Sequence, residues 1–364
     1  MRLGRAGGSG AKEVERVAVS LRIAVVGCGP LGARRARTLR ALGIDELRFA
    51  DHDAQRARML QATLGGSVLG STSATAAESD AVVLCTPAAS RVGLAVEAIR
   101  VGAHVFVEAP LGDGLGGIGL LLEAAAARGR VVMVGSRLRF HPAMERIRAL
   151  VQTRTIGRVY AGTLWLGTGG GEGGDGVREA EGAHGAGPAV ESLQWLDVIR
   201  WLFGQPAEVM AVPGNGAGDG NAVEEAGAAI LRFENGLLLQ VFADGLRGQR
   251  ATRVELVGTE GTLAWSAGES QVALERLGGT ERRVERLPVD LAALEEAEMR
   301  HFLACVLTGR TPISDGGEGR ATLSLALAMQ RSSRLRRALP VGDHARRSAG
   351  RRGASGGLRL VHAT

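Results

Sequence analysis

The residues that most clearly indicate chemistry are three glycines near the start of the chain, Gly27, Gly29 and Gly32. They fit the pattern Gly-x-Gly-x-x-Gly, with an apolar run before them and a helical pattern beginning at Pro30 and Leu31. In that context the first glycine permits a tight turn, the second admits a pyrophosphate, and the third lets helix and strand pack closely. The pattern predicts a dinucleotide site formed by Gly27, Gly29, Pro30, Leu31 and Gly32, in which the free backbone N–H groups at the helix start face the phosphates. A glycine-rich turn of an unrelated α/β fold is the alternative.

An acid and two strand ends extend this predicted site. Asp51 follows the second predicted strand, where its carboxylate would accept hydrogen bonds from the adenosine ribose and repel a 2′-phosphate. NAD is therefore predicted in preference to NADP. Thr86 and Pro87 close the predicted strand Ala81–Cys85 and Glu108 ends the next one, at the edge where open α/β sheets bind ligands. We expect all three to line the cofactor, although Thr86 could simply start a helix and Glu108 could be hydrogen-bonded structure.

The elements that must position these residues follow an alternating pattern from residue 21 to about residue 140. The predicted strands are Arg22–Val26, Glu46–Ala50, Ala81–Cys85, His104–Val107 and Val131–Val134. They are apolar nearly throughout, and helical patterns separate several of them, which indicates a parallel sheet covered on both faces. The first domain, residues 21–140, is therefore predicted to be a doubly wound Rossmann-type sheet in an α/β chain.

The pattern changes after residue 140. Longer alternating strands, with tight turns at Asn235-Gly236 and Glu260-Gly261, predict a C-terminal α+β domain over residues 141–340. Its large open sheet is expected to be mostly antiparallel. Two helical stretches, Leu291 to Leu307 and Gly319 to Ala338, are expected to close this second domain. Residues 1–20 and the basic residues 341–364 are predicted to be disordered extensions.

Composition disfavours several classes of function. The formal charge is +6, but the last twenty residues contain five arginines and no acid, so the rest of the chain is nearly neutral and a nucleic-acid partner is disfavoured. The three cysteines are far apart, without a CxxC motif, which indicates no zinc site and suits the reducing cytoplasm. We expect a cytoplasmic protein without a signal peptide or membrane span.

An ordered series of motifs over residues 21 to 340 resembles the Gfo/Idh/MocA oxidoreductases. The matching segments are VVGCGPLG (25–32), ADHD (50–53), VVLCTP (82–87), VGAHVFVEAP (101–110), RFHPAMERIRALVQTRTIGRV (139–159), WLDVIRWLFGQPAEV (195–209), LVGTEGTL (256–263) and EMRHFLACVLTGRTPISDGGEGRATLSLALAM (298–329). The resemblance implies NAD(P)-dependent chemistry on a sugar, cyclitol or related carbonyl. It also implies a homo-oligomer, a dimer or tetramer associating through the second-domain sheet.

The chain departs from the family pattern at the residues that would move protons. Where the family has Glu-Lys-Pro, this chain has Ala109 in place of the lysine, and Lys12 is its only lysine. Gln194 stands where the family has a histidine, and an amide exchanges no proton near neutral pH. Glu191 falls at the family's acid position under three-residue spacing, whereas four-residue spacing places Val190 there. We predict Glu191 and Gln194, one helical turn apart, as the catalytic candidates.

Other assignments stay open at the level of sequence. Arg139 and His141 are predicted to bind an anionic group of the substrate, with an interdomain hydrogen-bond role as the alternative. The glycine-rich stretch from Gly167 to Gly187 could be a lid or a tolerated surface insertion. Three functions follow: an NAD-dependent oxidoreductase with an altered proton relay, an NAD-binding sensor or scaffold without catalysis, or chemistry without net redox in which NAD is recycled in place.

Overall fold

The structure, a computed structural model, describes residues 21–70, 72–169, 190–213, 226–248, 251–279 and 281–342. Among them, no helix is both long enough and apolar enough to cross a membrane. The stretch from 170 to 187 and the tail from residue 343 lie outside the described residues, so the predictions of a lid and of a disordered tail remain predictions. The same holds for residues 1–20.

The first half of the chain forms a six-stranded parallel sheet. Its strands are β1 (Arg22–Val26), β2 (Glu46–Ala50), β3 (Ser67–Val68), β4 (Ala81–Leu84), β5 (His104–Val107) and β6 (Val132–Val134). Their order is β3-β2-β1-β4-β5-β6, so the chain moves outward from β1 to one edge and then crosses to the other. Every residue of β4 and β5 is buried, which confirms the predicted parallel sheet covered on both faces.

Helices connect these strands and cover the sheet. They are α1 (Pro30–Ala41), α2 (Ala54–Leu64), α3 (Thr72–Ala77), α4 (Ala88–Arg100) and α5 (Ile118–Arg128). The side chain of Asp53 caps α2 by accepting the N–H of Gln55. A 3₁₀ turn at Arg137–Phe140 and helix α6 (Pro142–Gln152) lead to the second half of the chain.

The second half is built on a nine-stranded sheet. Its strands are β7 (Val159–Gly169), β8 (Glu208–Pro213), β9 (Ala226–Arg232), β10 (Leu238–Gly248), β11 (Arg253–Gly258), β12 (Gly261–Ser266), β13 (Gln271–Arg276), β14 (Arg282–Arg286) and β15 (Leu339–Pro340). The order is β14-β13-β12-β11-β7-β10-β9-β8-β15, and only β7 and β10 pair in parallel. This confirms the predicted large, mostly antiparallel sheet. Helix α7 (Val190–Phe203) packs on one face of this sheet, where Leu196 and Ile199 join the hydrophobic core of the second half.

The last two helices correct part of the predicted division of the chain. Helix α8 (Leu291–Thr308) was expected to close the second domain, but Met299, Phe302 and Leu303 pack into the core beneath the first sheet. Phe302 stacks edge-on against Phe106 of β5, with ring centroids 5.6 Å apart. Helix α9 (Gly316–Leu335) contacts both halves. An apolar helical face predicts burial but does not identify the partner, which explains the error.

Candidate active site

The glycine loop packs too closely for side chains at two of its three glycines. Gly27 has φ +90°, and a Cβ there would lie 2.7 Å from the carbonyl carbon of Cys85. A Cβ on Gly32 would lie 1.8 Å from the carbonyl oxygen of Gly27. The loop, the start of α1 and the end of β4 are therefore in direct backbone contact.

Gly29 is different because a Cβ there would meet nothing within 4 Å. It is the N-cap of α1, with Pro30 next to it, and no side chain caps the free N–H groups of the first turn. Open space over an uncapped helix N-terminus is a cradle for an anionic group. The residues present therefore fit the pyrophosphate of a dinucleotide, with Pro30 and Leu31 opening the helix below it.

Asp51 lies against this loop. Its side chain is 3% exposed and accepts the N–H of Cys28 at 2.5 Å and the N–H of Asp53 at 2.8 Å. The neighbouring His52 is exposed and places Nδ1 3.0 Å from the same carboxylate. Burial raises the pKa of the Cys28 thiol to about 12, with Asp51 adding to the shift, so the loop holds a neutral thiol. The acid is thus fixed beside the glycines.

A buried arginine joins the two turns that follow β4 and β5. Arg91 of α4 is 1% exposed and donates from Nε to the carbonyl of Thr86 at 2.7 Å. Its Nη1 donates to the carbonyls of Glu108 at 3.2 Å and Pro110 at 2.8 Å. Arg91 therefore holds the Thr86-Pro87 turn against the Glu108-Ala109-Pro110 turn, whose Ala109–Pro110 peptide bond is cis. Sequence reasoning missed it because one arginine in a helical pattern carries no signal of its tertiary partners.

Glu108 is held inside the fold by a buried ion pair. Its carboxylate is buried and accepts a hydrogen bond from Arg35 of α1, while Arg35 Nη1 also pairs with Glu298 of α8 at 2.7 Å. Burial alone would raise the pKa of Glu108, but the Arg35 guanidinium outweighs it and the pKa is lowered. Burial raises the pKa of Glu298. The side chain of Glu108 thus supports the turn from inside the fold, in line with the hydrogen-bonded structural role that the sequence left as an alternative.

A small cavity lies beside Ala109, between the two halves of the chain. Its volume is about 20 Å³, room for about one water molecule. Ala109, Ser136, Gln194 and Asp197 are among its lining residues. The structure therefore brings Ala109 and Gln194 to the same cavity. Gln194 is half-buried on α7. Glu191 lies in the first turn of the same helix, and the described part of the structure does not include its side chain.

Arg139 and His141, predicted to bind an anionic substrate group, are both buried and bonded to protein groups. Arg139 is 1% exposed; it contacts both carboxylate oxygens of Asp197 at 2.7 Å and Glu318 at 2.7 Å, and donates to the carbonyl of Ile313. These four hydrogen bonds leave little of the guanidinium for a ligand. His141 is buried and caps α6 by accepting the N–H of Ala143 at 3.1 Å. Arg139 therefore has the interdomain hydrogen bonds that the sequence left as an alternative, whereas His141 caps a helix locally.

Asp197 and Ser136 are the cavity residues that sequence reasoning missed. The Ser136 hydroxyl donates to the Asp197 carboxylate, which also accepts from Thr322 at 3.1 Å. Both acid and serine are less than 9% exposed. Sixty residues separate them in the chain, and no spacing rule predicts a pairing of that kind. Among the described residues, no group of three or more His, Cys, Asp and Glu is placed to hold a metal ion.

Comparisons with known proteins agree with this geometry. The oxidoreductase family with an NAD-binding Rossmann fold, GFO/IDH/MocA, matches residues 21–136, and the GFO/IDH/MocA C-terminal domain matches residues 144–264. An inositol 2-dehydrogenase from Acidothermus cellulolyticus is 27% identical over 83% of this chain and 89% of its own. A D-apiose dehydrogenase from Paraburkholderia graminis is 25% identical over 85% of this chain and 87% of its own.

A solved structure shows the same fold. An oxidoreductase from Agrobacterium radiobacter, solved in complex with NAD⁺, L-tartaric acid and magnesium, superposes with a TM-score of 0.77. It is 18% identical, over 88% of this chain and 98% of its own. A parallel Rossmann sheet, a glycine-loop cradle and an open second sheet define an NAD-binding oxidoreductase. With both of its domains matched, this chain belongs to the GFO/IDH/MocA family.

Proposed function

We propose that this protein is an NAD-dependent oxidoreductase acting on a sugar, a cyclitol or a related alcohol or carbonyl. The observation that supports it most is the junction of three parts: the Gly29 cradle, the Asp51 carboxylate beside it, and a cavity at Ala109. The named relatives oxidise inositol and apiose, which favours a polyhydroxylated substrate. We assign NAD in preference to NADP because a 2′-phosphate beside Asp51 would meet a carboxylate.

Different residues of the chain would bind the cofactor and shape the site of such a reaction. Glycines 27, 29 and 32 and the start of α1 would hold the pyrophosphate, and the turns fixed by Arg91 would shape the wall of the nicotinamide site. The bound dinucleotide supplies a two-electron hydride acceptor. Orientation is the largest part of what the protein must add, and proton transfer contributes a further 10²–10⁴-fold, approximately.

The proton relay of this protein is atypical, because Ala109 and Gln194 cannot titrate. Gln194 can donate a hydrogen bond to a carbonyl or accept one from a hydroxyl at the cavity. Glu191, one helical turn before it, is the acid of α7 that we propose as a proton acceptor. Its carboxylate could act directly or through water.

A catalytically retired sensor or scaffold is the second candidate function. It is favoured by one observation: Ala109 and Gln194, neither of which transfers a proton near neutral pH, line the same cavity. In that case the dinucleotide would be a ligand and not a reactant.

We also propose that the protein is a homo-oligomer through the outer face of its large sheet. Exposed apolar side chains gather on β8, β9 and β10, opposite the face that α7 covers: Met210, Val212, Ile230 and Leu238. Trp165 and Phe242 continue the patch, with ring centroids 4.4 Å apart. An apolar patch of this kind on a sheet face is typical of an interface.

Turnover of a defined panel tests the enzymatic proposal. Myo-inositol, D-apiose and common aldoses are each incubated with NAD⁺ and the full-length protein, and NADH absorbance is followed. We expect measurable reduction with at least one member, a rise in turnover for Ala109→Lys, and a fall of at least ~10²-fold for Glu191→Gln if that acid is the acceptor. NADH binding without any turnover across the panel, unrescued by Ala109→Lys, would contradict the enzymatic proposal and favour the sensor.

A further inference from the structure

The serine at the cavity is held by two buried acids. The N–H of Ser136 donates to Glu298 Oε1 of α8 at 2.5 Å, and its hydroxyl donates to Asp197 Oδ2 of α7. Ser136 is 2% exposed and Asp197 6% exposed, and both line the cavity beside Ala109. Since both protons of Ser136 are committed, the polar capacity left on its side chain is the acceptor lone pairs of Oγ. A group entering the cavity would find there an acceptor suited to a hydroxyl.

We propose that Ser136 and Asp197, in place of Glu191, form the proton relay of this site, an inference that rests on the proposed oxidoreductase function and deepens it. The substrate hydroxyl donates to Ser136 Oγ. As the alcohol is oxidised, its O–H proton moves to Ser136 Oγ while the serine proton moves to Asp197 Oδ2. A bound nicotinamide dinucleotide would accept the carbinol hydrogen as hydride with its two electrons, so that the C–H and O–H bonds break and the C=O bond forms. The proton ends on the Asp197 carboxyl group, so atoms and charge balance.

The surroundings of Asp197 let it change charge without leaving a buried ion alone. Arg139 contacts both of its oxygens at 2.7 Å, yet Arg139 also pairs with Glu318 at 2.7 Å and donates to a carbonyl. When Asp197 takes the proton, Arg139 therefore keeps an anionic partner. This matters because an unpartnered buried charge costs several kcal/mol, approximately.

Neighbouring groups also fix the orientation of the carboxylate. Thr322 of α9 donates to Asp197 Oδ1 at 3.1 Å, and Arg200 Nη1 in turn donates to Thr322 at 2.9 Å. The charged groups that face the pair are thus Arg139, Arg200, Glu318 and, on the serine side, Glu298. Gln194 shares the cavity, but its amide does not exchange a proton. Ser314 and Thr322 also line it; the Ser314 hydroxyl donates to the carbonyl of Val134, away from the acid, and the Thr322 hydroxyl already accepts from Arg200.

The variant Ser136→Ala tests the relay without removing a buried charge. We expect kcat/KM for the best substrate of the panel to fall ~10²–10⁴-fold, because the proton loses its acceptor. Ser136→Thr, which keeps the hydroxyl, should stay within roughly 10-fold of the wild type. The matched control is Ser332→Ala, which also deletes a buried serine hydroxyl, but on α9 away from the cavity. The Ser332 Oγ donates to the carbonyl of Arg337. This control variant should retain wild-type kcat/KM.

Two readouts separate a relay from a structural role. In Ser136→Ala, log kcat/KM should rise by about one unit per pH unit, since hydroxide then replaces the internal acceptor. Independently of turnover, calorimetry should show that myo-inositol, or the best panel substrate, binds the Ser136→Ala complex with NADH roughly 10-fold more weakly than the wild-type complex. NADH itself should bind both proteins equally.

The outcomes distinguish this inference from the proposed function. Ser136→Ala protein with wild-type kcat/KM and an unchanged pH profile would overturn the relay and leave the oxidoreductase proposal standing. Loss of activity in Glu191→Gln together with full activity in Ser136→Ala would assign the proton to Glu191 instead. A wild type that oxidises no member of the panel would overturn both.

Discussion

Buried histidines in the described chain act as hydrogen-bond acceptors. Nδ1 of His141 accepts the N–H of Ala143 at 3.1 Å, and its ring packs edge-on against Trp265 at 5.4 Å between centroids. Burial lowers the pKa of His141 from 6.5 to about 4. Between pH 6.5 and about pH 4, the unfolded chain therefore binds a proton at His141 that the folded protein does not bind. The stability that the neutral ring contributes is complete above pH 6.5 and is lost as the pH falls through 4.

A substitution isolates this contribution. Between pH 7 and pH 5 the wild type should lose about 2 kcal/mol of unfolding free energy through His141. His141→Asn keeps a capping oxygen that does not titrate. Urea titrations at the two pH values should therefore show that the variant loses about 2 kcal/mol less unfolding free energy than the wild type. Burial lowers the pKa of His104 and His301 as well, but both remain in the variant and cancel in the comparison. Equal pH dependence in the two proteins would show that His141 does not titrate in this way.

At the scale of elements, the glycine loop gives a matched pair of substitutions. Gly32→Ala places a Cβ 1.8 Å from the Gly27 carbonyl oxygen, so helix and strand must separate. We expect the free energy of unfolding to fall by at least about 2 kcal/mol, and we expect NADH binding to be lost as well. Gly29→Ala places its Cβ in open space, so thermal stability should change little while NADH affinity falls strongly. Thermal unfolding measures the stability of each variant, and fluorescence titration measures its affinity for NADH. Unchanged NADH affinity in Gly29→Ala would show that the cradle does not face the cofactor.

The elements also show how far the sequence could be interpreted. Apolar runs located β1, β2 and β5 at their observed bounds, and the glycine spacing located the loop, because burial and close approach restrict residue type. Strand β14 carried no such signal: all five of its residues are exposed and four are charged. Helix α2 was missed because only Ala57 and Leu60 are buried on it. Arg91, Ser136 and Asp197 were missed because each acts through partners distant in sequence.

The whole molecule is one chain in which the late helices bind the two halves together. Helix α8 returns to the first sheet, where Glu298 pairs with Arg35 and accepts the N–H of Ser136. Helix α9 places Glu318 and Thr322 beside Arg200 of α7. The cavity at Ala109 therefore depends on parts of the chain far beyond the glycine loop. A cut at residue 140 would remove both sides of the Ser136 network.

The oligomer proposal makes a prediction at this scale. Ile230 is 52% exposed, in register between Met210 of β8 and Gln240 of β10. Ile230→Arg should convert the assembly to monomers in light scattering after gel filtration, because a charge would be buried in the apolar patch. Val284→Arg is the control, since Val284 is equally exposed, at 49%, but lies on the edge strand β14. A monomeric wild type, or an Ile230→Arg protein with the mass of the wild type, would rule out this face.

Calorimetric titration of the full-length protein with NADH, and separately with NADPH, tests the central claim most directly. The claim is that the Gly29 cradle and the Asp51 carboxylate form a working dinucleotide site. We predict saturable NADH binding at least ~10-fold tighter than NADPH binding, because Asp51 is a buried anion beside the loop. NADPH binding as tight as NADH would contradict the role of Asp51. If neither cofactor binds, the glycine loop is only a structural turn and the oxidoreductase proposal fails with it.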